Sequence, residues 1–310
     1  MHGNPSLEVI GKLSLNDSHS NTAQINIGQV SYCDGLLLCT IQNNTRRIVV
    51  WNPCTGQTKW IHVGDHYEPW ESSTYTLGSY QDNRSRNSSY KILRCIDIHY
   101  QEFEICDINS NSWRTLDGPD INLFQRQSVY LKGKTYWLAS DRNERNILGF
   151  LVSFDYTREI FECLSLEPLQ IHSFVGESGD DVVLSVVREE KLSLLLQNQY
   201  KLRKQIWVTN KIDETTEVTW IKILDYIGDY SIGKRYFFVD EEKRAVLMCC
   251  EDWGRYNGIS KYIYIVGEEE NKILAEVDFG APASSWPRLY NYVPSFVQIH
   301  LPGRKRKRCD

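Results

Sequence analysis

His62 and His66 stand four residues apart with Asp65 between them in "HVGDHYEPW", a donor set that would suit a divalent metal if a helix carried it. Gly64 and Pro69 in the same stretch argue for a loop, where that spacing gathers nothing on one face, so no metal is expected. Nine cysteines, at positions 33, 39, 54, 95, 106, 163, 249, 250 and 309, include no pair spaced Cys-x-x-Cys. Most of them read as small core hydrophobes in a reducing compartment. The acidic runs Asp180-Asp181, Glu189-Glu190 and Glu268-Glu269-Glu270 fall between apolar segments, where solvated turn charge explains them better than acid/base work. With no glycine-rich phosphate loop and no G-x-S-x-G elbow, neither a catalytic group nor a cofactor is expected.

Composition turns attention from chemistry to architecture. Aromatics make up 12% of the 310 residues, with 9 Trp and 18 Tyr, side chains that favour a pleated, half-buried surface. The length suits two ordinary domains or one large all-β domain. A formal net charge of −5 supplies no global basic field, which makes nucleic acid a poor partner. No apolar run reaches the length of a membrane span, and "MHGNPSLEVIG" lacks the blocks of a signal peptide, so a cytoplasmic or nuclear chain is expected.

The stretch "SYCDGLLLCTIQNNTRRIVVWNPCTGQTKWI" (31–61) contains a continuous apolar strand, a Pro/Gly reversal and an alternating return strand bearing Trp60. The same grammar recurs in "FEICDINSNSWRTL" (103–116), "FLVSFDYTREIFECL" (150–164), "QIWVTNKIDETTEVTWIKI" (205–223) and "YIYIVGEEENKILAEV" (262–277). The return-strand anchors Trp60, Trp113, Phe161, Trp220 and Ala275 are separated by 53, 48, 59 and 55 residues. A period of about fifty is that of a four-stranded, kelch-like propeller blade. The remaining strands of each blade are expected in "CDGLLLCT", "YKILRCIDI", "VYLKGKTYWLAS", "DDVVLSVV" and "RYFFVDEEKRAVLMCC". The stretch "REEKLSLLLQNQYKLRKQ" (188–205) also fits helical spacing, with strand-turn-strand the preferred reading, and "GSYQDNRSRNSSY" (78–90) reads as an inter-strand loop. Closure is expected where "YVPSFVQI" (292–299) joins an N-terminal strand such as "LEVIGKLSL" (7–15) in one shared blade, giving an all-β, closed array of about six four-stranded blades.

"CDGLLLC", "RIVVWNPCTGQTKWI" and "YVPSFVQI" together resemble the F-box associated domain of plant F-box/kelch-repeat proteins, over residues 7 to 301. The resemblance implies a domain that holds the protein to be ubiquitinated, while a separate helical F-box docks on a Skp-type adaptor of a cullin ligase. About thirty residues precede Cys33 and read as turn and strand rather than as an F-box, so adaptor and cullin are expected as partners only where an F-box is supplied or retained. The domain is placed at 1–301, with a basic tail at 302–310.

The signature residues Cys33, Asp34, Gly35, Leu36, Trp51, Asn52, Pro53, Gly56 and Trp60 are expected to serve mainly structure: Asp34-Gly35 as a turn pair, Trp51-Asn52-Pro53 as a strand end and reversal. Candidate partner contacts are the loop aromatics Tyr67, Trp70, Trp253, Tyr256 and Trp286, since rigid rings bury much area at little entropic cost. Arg304, Lys305, Arg306, Lys307 and Arg308 form a candidate nuclear-import tail. A target protein is the expected partner. The alternatives are a small-ligand or glycan site in a central channel, an isolated competing binder without ligase recruitment, and an enzyme, since propellers host hydrolases and lyases.

Overall fold

The computed structural model describes residues 15, 25–42, 44–63, 72–81, 88–97, 101–141, 148–166, 182–198, 203–212, 218–227, 236–252, 260–267, 273–278 and 292–299. Among them lie five four-stranded antiparallel sheets, each a simple meander. The first holds β1 (Ile27–Cys33), β2 (Leu36–Ile41), β3 (Asn44–Trp51) and β4 (Thr58–His62). The second holds β5 (Ser72–Gln81), β6 (Ser88–Asp97), β7 (Gln101–Asp107) and β8 (Ser112–Leu116). The third holds β9 (Ile121–Leu131), β10 (Lys134–Asp141), β11 (Leu148–Asp155) and β12 (Ile160–Ser165). The fourth holds β13 (Val182–Val187), β14 (Lys191–Asn198), β15 (Arg203–Thr209) and β16 (Trp220–Ile227). The fifth holds β17 (Phe237–Asp240), β18 (Ala245–Asp252), β19 (Ser260–Gly267) and β20 (Ile273–Asp278). All five repeat anchors fall on the fourth strand of their sheet.

Period-2 alternation explains how these sheets stack. On β3, Ile48 and Val50 enter a buried layer shared with Leu77, Ile92 and Cys106 of the second sheet, while Val49 and Trp51 point the opposite way and meet Leu15. The second sheet then turns Leu93, Cys95, Phe103 and Ile105 towards Trp137, Val152 and Phe154 of the third. Leu138 and Leu151 of the third face Leu184, Leu192, Leu194 and Leu196 of the fourth, whose Leu195, Ile206 and Val208 face Val239, Val246 and Met248 of the fifth. Sheets therefore pack face to face in chain order, and the first strands β1, β5, β9, β13 and β17 lie beside one another in succession.

Burial on both faces accounts for the helical ambiguity of 188–205. Leu192, Leu194 and Leu196 serve one layer and Leu195 the other, so a strand carries a nearly continuous apolar run that a 3.6-residue period also fits. The described residues of the stretch are strand rather than helix beyond the turn at 188–190, with Leu192 opposite Val186 and Leu195 opposite Ile206. Two expectations need correction. Residues 78–81 and 88–90, read as loop, complete β5 and β6, with Ser79 opposite Tyr90; the polar Ser and Tyr letters hide a buried Tyr90 ring. Residues 292–299, expected as a strand, form no ladder among the described residues, and the side chains of Asn52 and Gln57 bond the Ser295 and Val297 carbonyls and the Ile299 N–H instead. Apart from Leu15, the N-terminal strand expected to share a blade with them lies outside the described residues.

Between β15 and β16, Arg203 donates through Nε and Nη2 to Asp225 at 2.7 and 2.6 Å, joined by Gln205 Nε2 and Lys222 Nζ, each at 2.9 Å. The Arg203 fork, with Lys222 and Gln205 behind it, holds the Asp225 carboxyl well below the usual carboxylate range. A carboxylate whose folded pKa is depressed stabilises above its unfolded value, about 3.9, and that contribution disappears as pH falls towards the folded value. Asp225→Asn should therefore lower stability at neutral pH by on the order of 1 kcal/mol, the pair being part-exposed, and the gap to the parent should narrow below about pH 4. Urea titrations across pH read this directly; a gap that stays constant in acid contradicts it.

Candidate functional site

Four of the first-to-second strand turns gather at one rim. Asp34 and Gly35 (φ 49° and 82°) form a two-residue type I′ reversal between Cys33 and Leu36, and Lys132-Gly133 (φ 48° and 75°) does the same between Leu131 and Lys134. Tyr130 Oη binds Ser79 Oγ at 2.6 Å, accepts from Gly133 N at 3.0 Å and reaches Asp34 Oδ2 at 3.4 Å, linking three sheets. Burial of the ring in this cluster pushes the Tyr130 phenol far above its ordinary range. Further round the rim, Lys191 pairs with Glu241 at 2.6 Å, Arg188 with Glu241 and Glu242, and Lys211 with Glu190. These charges are largely spent on one another. Among the described residues no group of three His, Cys, Asp or Glu side chains could hold a metal; His62 is described and exposed, and Asp65 and His66 are not.

The same rim carries a repeated turn. Asp107, Asp155 and Asp240 each accept, through Oδ1, the backbone N–H groups two and three residues on, at 2.8 to 3.3 Å. Asn52 occupies the matching position after β3: its Oδ1 accepts from Cys54 N at 2.9 Å and Thr55 N at 3.2 Å, and Gly56 N donates to its carbonyl at 2.9 Å. Unlike an aspartate, Asn52 also has an amide nitrogen. Nδ2 donates to Ser295 O at 2.9 Å and Val297 O at 2.8 Å, and the side chain is fully buried.

Around Asn52 the signature residues form a cradle for 292–299. Gln57 Oε1 accepts from Ile299 N at 3.0 Å, and Ile299 enters the layer between the first two sheets with Cys33 and Leu36. Tyr32 Oη donates to Glu189 at 2.9 Å and accepts from Val293 N at 3.3 Å, with its ring edge-on to Tyr292 at 5.9 Å. Gly35 permits the close approach: a Cβ there would sit 2.2 Å from Ser295 Cβ, besides the positive φ. Burial drives the Cys33 thiol well above its usual range, leaving it protonated and unreactive. Trp51 packs with Val49 and Leu15 on the other face, Pro53 is half-buried in the turn, and Trp60 lies under the Arg47 guanidinium at 4.2 Å.

At the opposite rim lie the strand ends that bracket four of the candidate contacts: Val63 and Ser72 around Tyr67 and Trp70, Asp252 and Ser260 around Trp253 and Tyr256. Those four residues, Trp286 and the tail Arg304, Lys305, Arg306, Lys307 and Arg308 lie outside the described residues. Among the described residues, the one large aromatic found highly exposed is a residue not among the candidates: Phe296, 84% exposed on the cradled segment. Its apolar type read as strand core; only the side-chain ties of its odd-numbered neighbours turn it outward.

A family model for the "F-box associated beta propeller domain" matches residues 1–299. The chain is similar to a probable F-box protein of Arabidopsis thaliana, 46% identical over 324 residues, which cover 100% of this chain and 73% of that protein. An F-box/kelch-repeat protein of the same plant is 41% identical over 323 residues, 99% of this chain and 81% of its own length. Among solved structures, Hsv2 of Kluyveromyces lactis is similar at a TM-score of 0.42 and 11% identity, over 82% of this chain and 63% of that one.

Proposed function

Because the chain belongs to the F-box associated β-propeller family, we propose that it is a noncatalytic recognition module of an SCF-type ubiquitin ligase, a closed ring of about six blades that presents rim loops to a target protein. The observation that carries the ring is the layering. Five sheets pack face to face in chain order, and Leu15, a residue that precedes the first sheet, packs against that sheet's outer face. A closed array needs that arrangement, because an open stack would leave one apolar face of its first sheet in water. The rim opposite the cradle, with Tyr67, Trp70, Trp253 and Tyr256 in its connections, is the recognition side in this reading. A Skp-type adaptor and cullin join where an F-box accompanies the domain.

Affinity purification from plant cells, with this chain alone and with an F-box fused ahead of it, tests the proposal. A common target should be recovered with both, and adaptor and cullin only with the fusion. Recovery of no shared protein, or of one whose abundance is indifferent to the fusion's ligase activity, would count against a role in ubiquitin-dependent degradation.

A further inference from the structure

Residues 292–299 present two unlike edges. Towards the first sheet, the carbonyls of Ser295 and Val297 and the N–H groups of Val293 and Ile299 are bonded by Asn52, Tyr32 and Gln57, and Val297 N is bonded by Ser295 Oγ. The backbone groups of Pro294, Phe296 and Gln298 make no hydrogen bond among the described residues, and these three side chains are exposed, Phe296 at 84%. Such alternation is that of an extended chain whose odd-numbered residues are fixed and whose even-numbered residues form an open edge. Pro294 has no N–H, so the edge offers donors at Phe296 and Gln298 and acceptors at Pro294, Phe296 and Gln298.

The order of those groups is complementary to itself. When two copies of the edge run antiparallel about a two-fold axis at Phe296, each Phe296 N–H meets the carbonyl of its counterpart, and each Gln298 N–H meets the carbonyl of the Pro294 opposite. Every donor of both copies is then used, and the missing N–H of Pro294 faces only the carbonyl of an exposed Gln298. The same register sets the two Phe296 rings side by side as a cross-strand aromatic pair, which takes the most exposed large apolar side chain among the described residues out of water. A second copy fits better than a loose peptide, because both edges are already held extended by Asn52, Tyr32 and Gln57 and little backbone freedom is lost on pairing. We infer that the 292–299 edge joins two copies of this chain in an antiparallel ladder centred on Phe296. The pairing goes beyond the recognition-module reading and does not depend on it. It leaves the opposite rim of each copy clear, so that a dimer can hold a target at two points.

Sedimentation equilibrium of the purified full chain tests the pairing. The contact is small, so a monomer–dimer equilibrium with a dissociation constant on the order of 100 μM is expected. Phe296→Ser, which changes an exposed side chain and so spares the fold, should weaken it about ten-fold or more. Gln298→Pro, which deletes a backbone donor that an apolar contact alone would not need, should do likewise. Amide exchange should slow at Phe296 and Gln298 as the concentration rises. Phe296→Cys should form an interchain disulfide on mild oxidation, beyond any that the parent forms through its exposed Cys54 and Cys163. A chain that stays monomeric up to about 1 mM would overturn the inference and leave the edge to a different partner. A dimer that persists unchanged in either Phe296→Ser or Gln298→Pro would overturn it too, by placing the contact elsewhere or reducing it to something other than a ladder. Because no target or ligase component is present, a failure here is separate from a failure of the ligase reading.

Discussion

Asn52→Asp is expected to destabilise the protein by about 3 kcal/mol or more, although the two side chains have the same shape. The turn itself should tolerate the change, since Asp107, Asp155 and Asp240 form it with a carboxylate oxygen. What fails is the second half of the residue's work. The Nδ2 donors to Ser295 O and Val297 O become an oxygen facing two carbonyl oxygens, at a site with no exposure to water that would solvate the charge. Release of 292–299 should follow, visible as faster amide exchange and proteolysis around Val297 and Ile299 before global unfolding. Asp240→Asn is the control: its turn bonds persist and its surroundings are exposed, so its effect should stay within about 0.5 kcal/mol. Equal urea midpoints for Asn52→Asp and the parent would show that the segment is held by something other than this amide.

The second large effect is expected at Gly78, in the interior of β5, where Gly→Ala should cost roughly 2 to 4 kcal/mol. A Cβ at this position would lie 2.0 Å from Cε2 of Tyr156. The ring cannot yield, because Tyr156 is fully buried, edge-on to Phe154, and its hydroxyl is fixed between Thr76 Oγ1 at 2.8 Å and Thr135 Oγ1 at 2.9 Å. Second and third sheets are thus keyed together by one missing methyl group. The coupling has a clear signature: combining Gly78→Ala with Tyr156→Leu should cost less than the two changes added, because the smaller side chain removes the clash. Strict additivity in denaturation would place the strain elsewhere.

How legible all this was varies by residue. Turn letters and alternation located the hairpins, since Asp34-Gly35 and the Asp-led reversals act through chemistry within a few residues. The fourth-strand anchors were legible for the same reason: Trp113 donates Nε1–H to His62 O of the preceding sheet at 3.0 Å, and Phe161 packs on Phe103 of the preceding sheet at 4.8 Å, so one repeated letter marks one repeated packing position. Tyr90 misled because a polar neighbourhood conceals burial that arises only when a second sheet arrives. Asn52 was read as a turn former, and so it is; its partners lie 243 and 245 residues away, beyond anything local spacing can report. "YVPSFVQI" has the composition of a strand, yet composition cannot tell a backbone paired by a ladder from one paired by asparagine and glutamine side chains.

Leu15 and Ile299 lie on opposite faces of the first sheet, so material from both ends of the chain clamps that sheet. Translation runs in one direction, and the sheets can stack in the order in which they leave the ribosome, each on its predecessor. The clamp cannot close until Val297 and Ile299 have emerged, some 240 residues after Asn52 was made. A nascent chain therefore waits with its earliest-formed layer half secured, and premature termination anywhere upstream of residue 292 would leave the Asn52 amide without its two carbonyl partners.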